Sequence, residues 1–317
     1  MIYKDRTKGD SYAEQLHLDR TAGKFRQMAI FPAVIRSIVD LTPDVKLFRL
    51  HARNHSSDNI HRAGQLSASS NENEIIAKGH LSKSFLAGQW VDVFIPDLSP
   101  DVVGGFTVCS APSLFEETGD IELAVKRSDH APAAWFHSSA AKPGARLRLR
   151  FGGDFYLDPT VLSENLLLIA GGVGINPFRA MVEEIRALHS SNICRNPGSE
   201  IIKSNVVLLY SVKTQGDLLF RDDINKWTGE ESACAFHCDL FVTQEKMEDK
   251  IDYLPAVNVI GGRINEAHLT NALNRFNVDV KPVSCYLCGP PPMIDNMILA
   301  LRNRNIANKQ IYYEKWW

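Results

Sequence analysis

The sequence predicts two domains in succession: an antiparallel β-barrel, then an α/β domain built on a parallel sheet. Three observations carry that reading. Short strands with alternating apolar residues, separated by turns, recur between residues 33 and 151. After about residue 160 the rhythm changes to strands alternating with helices. Two glycine turns, Gly171-Gly172-Val173-Gly174 and Cys288-Gly289-Pro290, each follow an apolar strand and precede a helix start. At 317 residues and 44% hydrophobic, the chain is long enough for two ordinary domains and can fill both cores.

In order along the chain, residues 1–27 are polar and read as a loosely held arm. Ala33–Val39 and Val45–His51 read as strands around a Thr42-Pro43-Asp44 turn. Residues from about 52 to 82 contain Ser67-Ala68-Ser69-Ser70-Asn71-Glu72-Asn73 and few large apolar residues, and read as a polar insertion. Strand signals resume at Gln89–Ile95, Phe106–Cys109, Ile121–Val125 and Leu147–Phe151, with a helical patch at Ala133–His137. In the second half, strands are expected at Leu166–Ala170, Val206–Tyr210, Leu240–Val242, Val283–Leu287 and Gln310–Glu314. Helices are expected from Asn176 or Pro177 to about Leu188, over Phe220–Trp227, over Asn265–Phe276, and through Met293, Met297 and Leu301. The domain boundaries that follow are 1–27 for the arm, 28–158 for the barrel and 159–317 for the α/β domain.

Formal net charge is −2, which points away from nucleic acid and from anionic membrane surfaces as partners. No apolar run approaches the roughly 20 residues of a membrane span. The six cysteines have no framework spacing and are expected to be reduced. Cys285 and Cys288 match CxxC, but Cys285 sits within an apolar strand and no second pair completes a metal site. The first 26 residues mix Lys4, Arg6, Lys8, Arg20, Lys24 and Arg26 with Asp5, Asp10, Glu14 and Asp19, and show no presequence pattern.

The glycine turns point to the chemistry. Glycine lets backbone N–H groups approach a pyrophosphate, and a following helix N-terminus adds partial positive charge. A P-loop is excluded, because no Gly-Lys-Ser/Thr follows the glycines. No Ser-His-Asp or metal constellation is evident.

Gly171-Gly172-Val173-Gly174-Ile175-Asn176-Pro177 resembles the GGTGITP motif of the ferredoxin–NADP reductase superfamily. Cys288-Gly289-Pro290-Pro291-Pro292-Met293 resembles its CGPxxM, and Ala87-Gly88-Gln89-Trp90 its AGQY segment. The resemblance covers roughly residues 29–317 and implies a flavin-binding barrel followed by an NAD(P)-binding domain. It implies that Gly171 to Pro177, with Gly289 and Pro290, cradle and wall NAD(H) or NADP(H), and that Cys288 lies beside the nicotinamide. On the flavin side the family motif R-x-Y-[ST], with a further Ser, falls on Gly104, Phe106, Thr107 and Ser110. Phe106 keeps a stacking face and Thr107 a hydroxyl, but Gly104 stands where the family has arginine. Losing one charge-assisted contact to a diphosphate forfeits about 1.5–3 kcal/mol, roughly ten- to a hundred-fold in FAD affinity. Lys126 or Arg127 is the expected replacement cation. An aromatic near the C-terminus, Trp316 or Trp317, is expected to cover the nicotinamide end, and Lys213 is the residue nearest to a choice between the two nicotinamide cofactors.

The expected function is a flavin-dependent NAD(P)H oxidoreductase that passes hydride to flavin and electrons to an unidentified protein or small-molecule acceptor. The alternative is an NAD(H)-binding module, a sensor or assembly protein, with a weakened or lost flavin site. The resemblance also implies a mitochondrial location, while the N-terminal residues, with no presequence pattern, leave a cytosolic one open.

Overall fold

The structure is a computed structural model that describes residues 17–52, 85–190, 204–229, 234–245, 256–276 and 282–316. Most of the polar insertion, the first sixteen residues and Trp317 lie outside the described residues.

Six strands form the first sheet: β1 (Phe31–Thr42), β2 (Val45–Ala52), β3 (Trp90–Phe94), β4 (Val103–Thr107), β5 (Asp120–Lys126) and β6 (Arg146–Gly152). Their order is β4-β3-β6-β1-β2-β5, antiparallel throughout. The Cys109 N–H, just past β4, donates to the Glu122 carbonyl of β5 at 2.9 Å, so the two edges meet and the sheet closes as a barrel. Strand β6 shows why: in Arg146-Leu147-Arg148-Leu149-Arg150-Phe151 the two-residue period sends Leu147, Leu149 and Phe151 into the core and the arginines outward. Helix α1 (His17–Arg20) precedes the barrel. Helix α2 (Pro112–Thr118) and helix α3 (Ala131–Phe136) sit between its strands, and Phe115 and Phe136 join its core.

The second sheet, β7 (Asn165–Gly171), β8 (Asn205–Val212), β9 (Ala235–Val242), β10 (Asn258–Gly261), β11 (Val283–Gly289) and β12 (Ile311–Lys315), is wholly parallel in the order β10-β9-β8-β7-β11-β12. Strand β7 is buried along its whole length, because both faces carry helices. Leu166, Leu168 and Ala170 face α4 (Asn176–Ser190) and α5 (Arg221–Thr228). Leu167 and Ile169 face α6 (Glu266–Leu273) and α7 (Pro291–Arg302). Strand order reverses between β7 and β11, which makes the carboxyl ends of these two strands a topological switch point.

The barrel and the α/β domain share one apolar cluster, in which Val45, Ala87, Cys109 and Ala124 pack with Phe178, Met181 and Cys288. Arg179 of α4 spans the seam. It binds Glu122 at 2.7 Å, Asp223 at 2.6 Å and the Cys109 carbonyl at 3.1 Å, and its guanidinium lies 4.8 Å from the Phe220 ring centroid.

Three features depart from the expectation. Helix α2 and strand β10 were not anticipated. Residues 17–27, expected as part of a loose arm, are docked on the barrel. His17 is buried and bonds Asp92 of β3 at 2.9 Å, and the backbone of Phe25 and Gln27 pairs with Gly153 and Phe151.

Candidate functional site

The two glycine turns meet. Gly174 lies in the 3-10 turn Gly172–Ile175 that follows β7. A Cβ on it would overlap the Cys288 carbonyl oxygen and lie 2.6 Å from the Cys288 carbonyl carbon and 2.9 Å from Gly289 N. Only glycine permits that approach. Gly171 lies against Pro290 and Met293, and Gly289 lies against Gly171 and Met293. Gly172 is different. Its φ of +55° is left-handed, and nothing lies within 4 Å of where its Cβ would stand. The backbone there turns an open, side-chain-free surface outward at the switch point, which is the form of a cradle for a pyrophosphate. Val173 is partly exposed and Pro290 exposed beside it, so the residues present fit a dinucleotide.

The remaining motif residues serve the scaffold. Ile175 and Pro177 are buried. Asn176 turns to the barrel: its Nδ2 donates to the Ala124 carbonyl at 2.9 Å, and its Oδ1 is buried without a hydrogen bond. It is a seam residue in this geometry, not an exposed phosphate donor.

Cys288 is fully buried, and burial pushes its thiol well above the ordinary value. Its register partner on β12 is Glu314, so the two side chains share a sheet face. Trp316, two residues on, packs on the cluster containing Cys288, and its N–H donates to the Gly289 carbonyl at 3.3 Å. Glu314 Oε2 is buried without a hydrogen bond. Burial pushes the Glu314 carboxyl up to about 8, against the opposing pull of the Trp316 indole N–H, Lys24 and the Trp90 indole N–H. The carboxyl therefore holds a proton at neutral pH, beside a covered thiol. Sequence reasoning missed Glu314 and Trp90 as members of this group. Cys285 faces the opposite helical layer from Cys288, so the CxxC pair is split by the sheet.

The flavin-side residues are arranged otherwise than the resemblance implied. Register places Gly104 and Phe106 opposite Val93 and Val91, whose side chains are in the barrel core. Phe106 packs edge-on against Phe136, with centroids 5.1 Å apart. A Cβ on Gly104 would lie 2.5 Å from the Phe106 ring and 2.7 Å from Pro132 Cβ. The position of the family arginine thus lacks the cation, and any side chain there would have to displace the Phe106 ring and Pro132. Thr107 is buried and is the register partner of Trp90. The Ser110 hydroxyl accepts the Glu122 N–H at 3.0 Å. Lys126 and Arg127 are exposed at the end of β5. The charge-assisted diphosphate contact of the family motif therefore has no counterpart at Gly104. Trp317 lies outside the described residues.

A family model for the oxidoreductase NAD-binding domain matches residues 168–298, which span both glycine turns. The chain is 35% identical to oxidoreductase NAD-binding domain-containing protein 1 of Xenopus laevis, over 99% of this chain and 88% of that protein. It is 34% identical to the human protein of that name, over 100% of this chain and 87% of that protein. The chain belongs to the oxidoreductase NAD-binding domain-containing protein 1 family. The chain shares its fold with solved structures. The Amycolatopsis cytochrome P450 reductase GcoB matches at TM-score 0.61 and 20% identity, covering 92% of this chain and 71% of that one. The flavohem-like FAD/NAD-binding domain of the Vibrio cholerae nitric oxide dioxygenase matches at TM-score 0.61 and 15% identity, covering 90% of this chain and 98% of that one. The family model and the family's name agree on an oxidoreductase of the NAD(P)H-linked type.

Proposed function

We propose that the chain binds NAD(H) across the crevice between β7 and β11, with its pyrophosphate over Gly172 and its nicotinamide end toward Cys288, and that it does so without the flavin cradle of its superfamily. The observation that carries this reading is the backbone packing of Gly174 on Cys288 and Gly289, which makes one cleft of two distant glycine turns. When bound, the nucleotide supplies a hydride donor. The chain's own residues do the rest. The N–H groups of the Gly172–Ile175 turn face the diphosphate, and Pro290 and Met293 wall the cleft. Trp316 shields Cys288 from water, and Glu314 keeps a proton at Oε1 or Oε2. Positioning and water exclusion are what hydride chemistry asks of a protein.

Of the two forms this function can take, a nucleotide-binding sensor or assembly module is favoured by the packing of Phe106 and Pro132 over Gly104. A flavin-dependent reductase delivering electrons to an outside acceptor is favoured by the retained Thr107 hydroxyl and by the protonated Glu314 beside Cys288. The deciding experiment is to denature the purified protein, identify any released cofactor, and titrate NADH and NADPH by nucleotide fluorescence. A colourless protein that binds NADH supports the module. A yellow protein bleached by NADH supports the reductase. A protein that binds neither nucleotide overturns the proposal. A mitochondrial location is proposed from the family resemblance alone, and imaging of the tagged full-length protein tests it.

A further inference from the structure

One cavity lies away from the nucleotide cleft, where the chain leaves the barrel. The segment from Asp154 to Ser163 links β6 to β7 and lies against β11 and β12 of the second sheet. Between this segment and the two strands is an open cavity of about 200 Å³. Pockets for drug-sized molecules run from about 300 to 1,000 Å³, so this one suits a single headgroup. Its lining is of three kinds. Tyr156, Tyr286 and Tyr312 give aromatic rings, Asp154 and Asp158 give acids, and Val161 and Leu162 give apolar side chains. Tyr286 and Tyr312 are register partners on one face of β11 and β12, and their rings stack with centroids 4.7 Å apart and planes 15° apart. Tyr286 is only 5% exposed, yet it lines the cavity, and its hydroxyl has no hydrogen-bond partner among the described residues. Buried polar groups are normally hydrogen-bonded, so a phenol left free at the wall of a cavity is a group for an occupant to meet.

The two acids are not equal. Asp154 is already engaged: its Oδ1 accepts the Phe25 N–H at 3.1 Å, and Lys24 Nζ stands 3.5 Å from its Oδ2. Asp158 is held at one oxygen only. Its Oδ1 accepts the Thr160 N–H at 2.8 Å and the Thr160 hydroxyl at 2.7 Å, while its Oδ2 has no partner among the described residues. The charge of Asp158 is felt inside the cavity. Burial first, then the neighbouring Tyr312, Asp158 and Tyr156, push the Tyr286 hydroxyl above its ordinary value.

The combination selects the ligand. A carboxylate with a free oxygen asks for a cation, and a tyrosine ring attracts one within about 6 Å of its centroid. Tyr312 is 41% exposed, so its ring is open to such a contact. A metal ion does not fit, because no group of three His, Cys, Asp or Glu able to hold one lies among the described residues. Val161 is 74% exposed, and covering it favours a cation that carries methyl or methylene groups over a hydrated inorganic ion. We infer that this cavity is a binding site for an alkylated ammonium group, whose charge meets Asp158 and whose alkyl groups meet Tyr286, Tyr312 and Val161. The group has two sources, a free small molecule or the lysine side chain of a polypeptide. The site stands apart from the nucleotide cleft. Tyr286 and Tyr312 lie two residues before Cys288 and Glu314 on their strands, and neither glycine turn lines the cavity, so the inference holds whether or not NADH binds.

The test is an NMR titration of the full chain with three probes: choline, its carbon isostere with a neutral carbon in place of the quaternary nitrogen, and the amide of Nα-acetyl-trimethyllysine. The backbone amides of Asp158, Val161, Leu162, Ser163 and Ser284 are followed. Choline should shift them saturably, and the isostere, which has the same shape and no charge, should bind about ten-fold or more weakly. Tighter binding of the lysine derivative assigns the group to a polypeptide and tighter binding of choline to a small molecule; either order supports the ammonium site. Asp158→Asn keeps the acceptor for Thr160 but removes the charge, and should weaken choline binding about ten-fold. Tyr312→Ala should weaken it about two- to thirty-fold. No saturable shift of these amides with either cation overturns the inference. So does equal affinity for choline and its neutral isostere in the natural chain, a comparison that needs no variant to fold. Unchanged choline affinity in a folded Asp158→Asn chain overturns it as well.

Discussion

Gly172→Ala separates a ligand cradle from a mere tight turn. The φ of +55° places Gly172 in the left-handed region, where an L-residue costs about 1–2 kcal/mol. Nothing within 4 Å would meet the new methyl, so no steric cost is added in the free protein. At roughly 2–4 °C per kcal/mol for a domain of this size, the melting temperature should fall by only a few degrees. The nucleotide meets a different surface. A methyl on the outward side of the turn stands between the diphosphate oxygens and the backbone N–H groups. Displacing one charge-assisted hydrogen bond costs about 1.5–3 kcal/mol, so NADH should bind roughly ten- to a hundred-fold more weakly. The assay is quenching or enhancement of NADH fluorescence, run well below the melting temperature, with differential scanning fluorimetry on the same samples. An unchanged NADH dissociation constant in a variant whose melting temperature has dropped as expected would refute the placement of the cradle at Gly172.

Gly174→Ala should show the opposite balance. Its methyl would strike the Cys288 backbone, and overpacking there costs about 1–3 kcal/mol, so stability and NADH binding should fall together in thermal and fluorescence measurements. Arg179→Ala removes a partner of both Glu122, which keeps Arg49, and Asp223, and should cost about 1.5–3 kcal/mol in urea unfolding, with Arg179→Lys failing to restore it because the fork is lost. Glu314 titrates high in the fold and near the ordinary carboxylate value when unfolded, so it loses stability as pH rises. The melting temperature of the natural chain should therefore decline between about pH 5 and pH 9 more steeply than that of Glu314→Gln. Trp316→Ala should uncover Cys288, read as a gain in maleimide labelling of the Cys288 peptide by mass spectrometry; equal labelling in both chains would show that Trp316 is not its cover.

Much of the architecture was legible because it is written in local periods. Arg146-Leu147-Arg148-Leu149-Arg150-Phe151 cannot be anything but a strand with one wet face. Strand β7 announces its burial on both sides by the unbroken run Leu166-Leu167-Leu168-Ile169-Ala170. Helix α2 carried a local signal that went unused, a proline at its first turn and Gly119 at its left-handed C-terminus. What stayed hidden is non-local. Asp92 sits between Val91 and Val93 at a position that alternation assigns to solvent, and it is fully buried because His17, Arg26 (66 residues upstream) and Arg150 close over it. Glu314 reads as an ordinary polar residue in an edge strand until Trp90 and Trp316 close over it. The loss of arginine at Gly104 was visible in the sequence, but the filling of its space by Phe106 and Pro132 was not, since those residues meet only in the closed barrel.

The two halves of this fold are built by different means. The nucleotide cleft is made of backbone. It needs two strands placed side by side by the sheet, a turn tight enough to touch its neighbour, and glycine where the turn opens outward, and all three follow from the packing of β7 and β11. The superfamily's flavin contact is made of side chains reaching across a gap: a cation on β4, an aromatic free to stack, a small donor at the head of α3. In this chain Gly104 stands at the cation's position, Phe106 packs on Phe136, and Pro132 lies beside Gly104. The seam residues Arg179 and Asn176 keep the barrel pressed on the α/β domain through Glu122 and Ala124, so the barrel backs the crevice between β7 and β11.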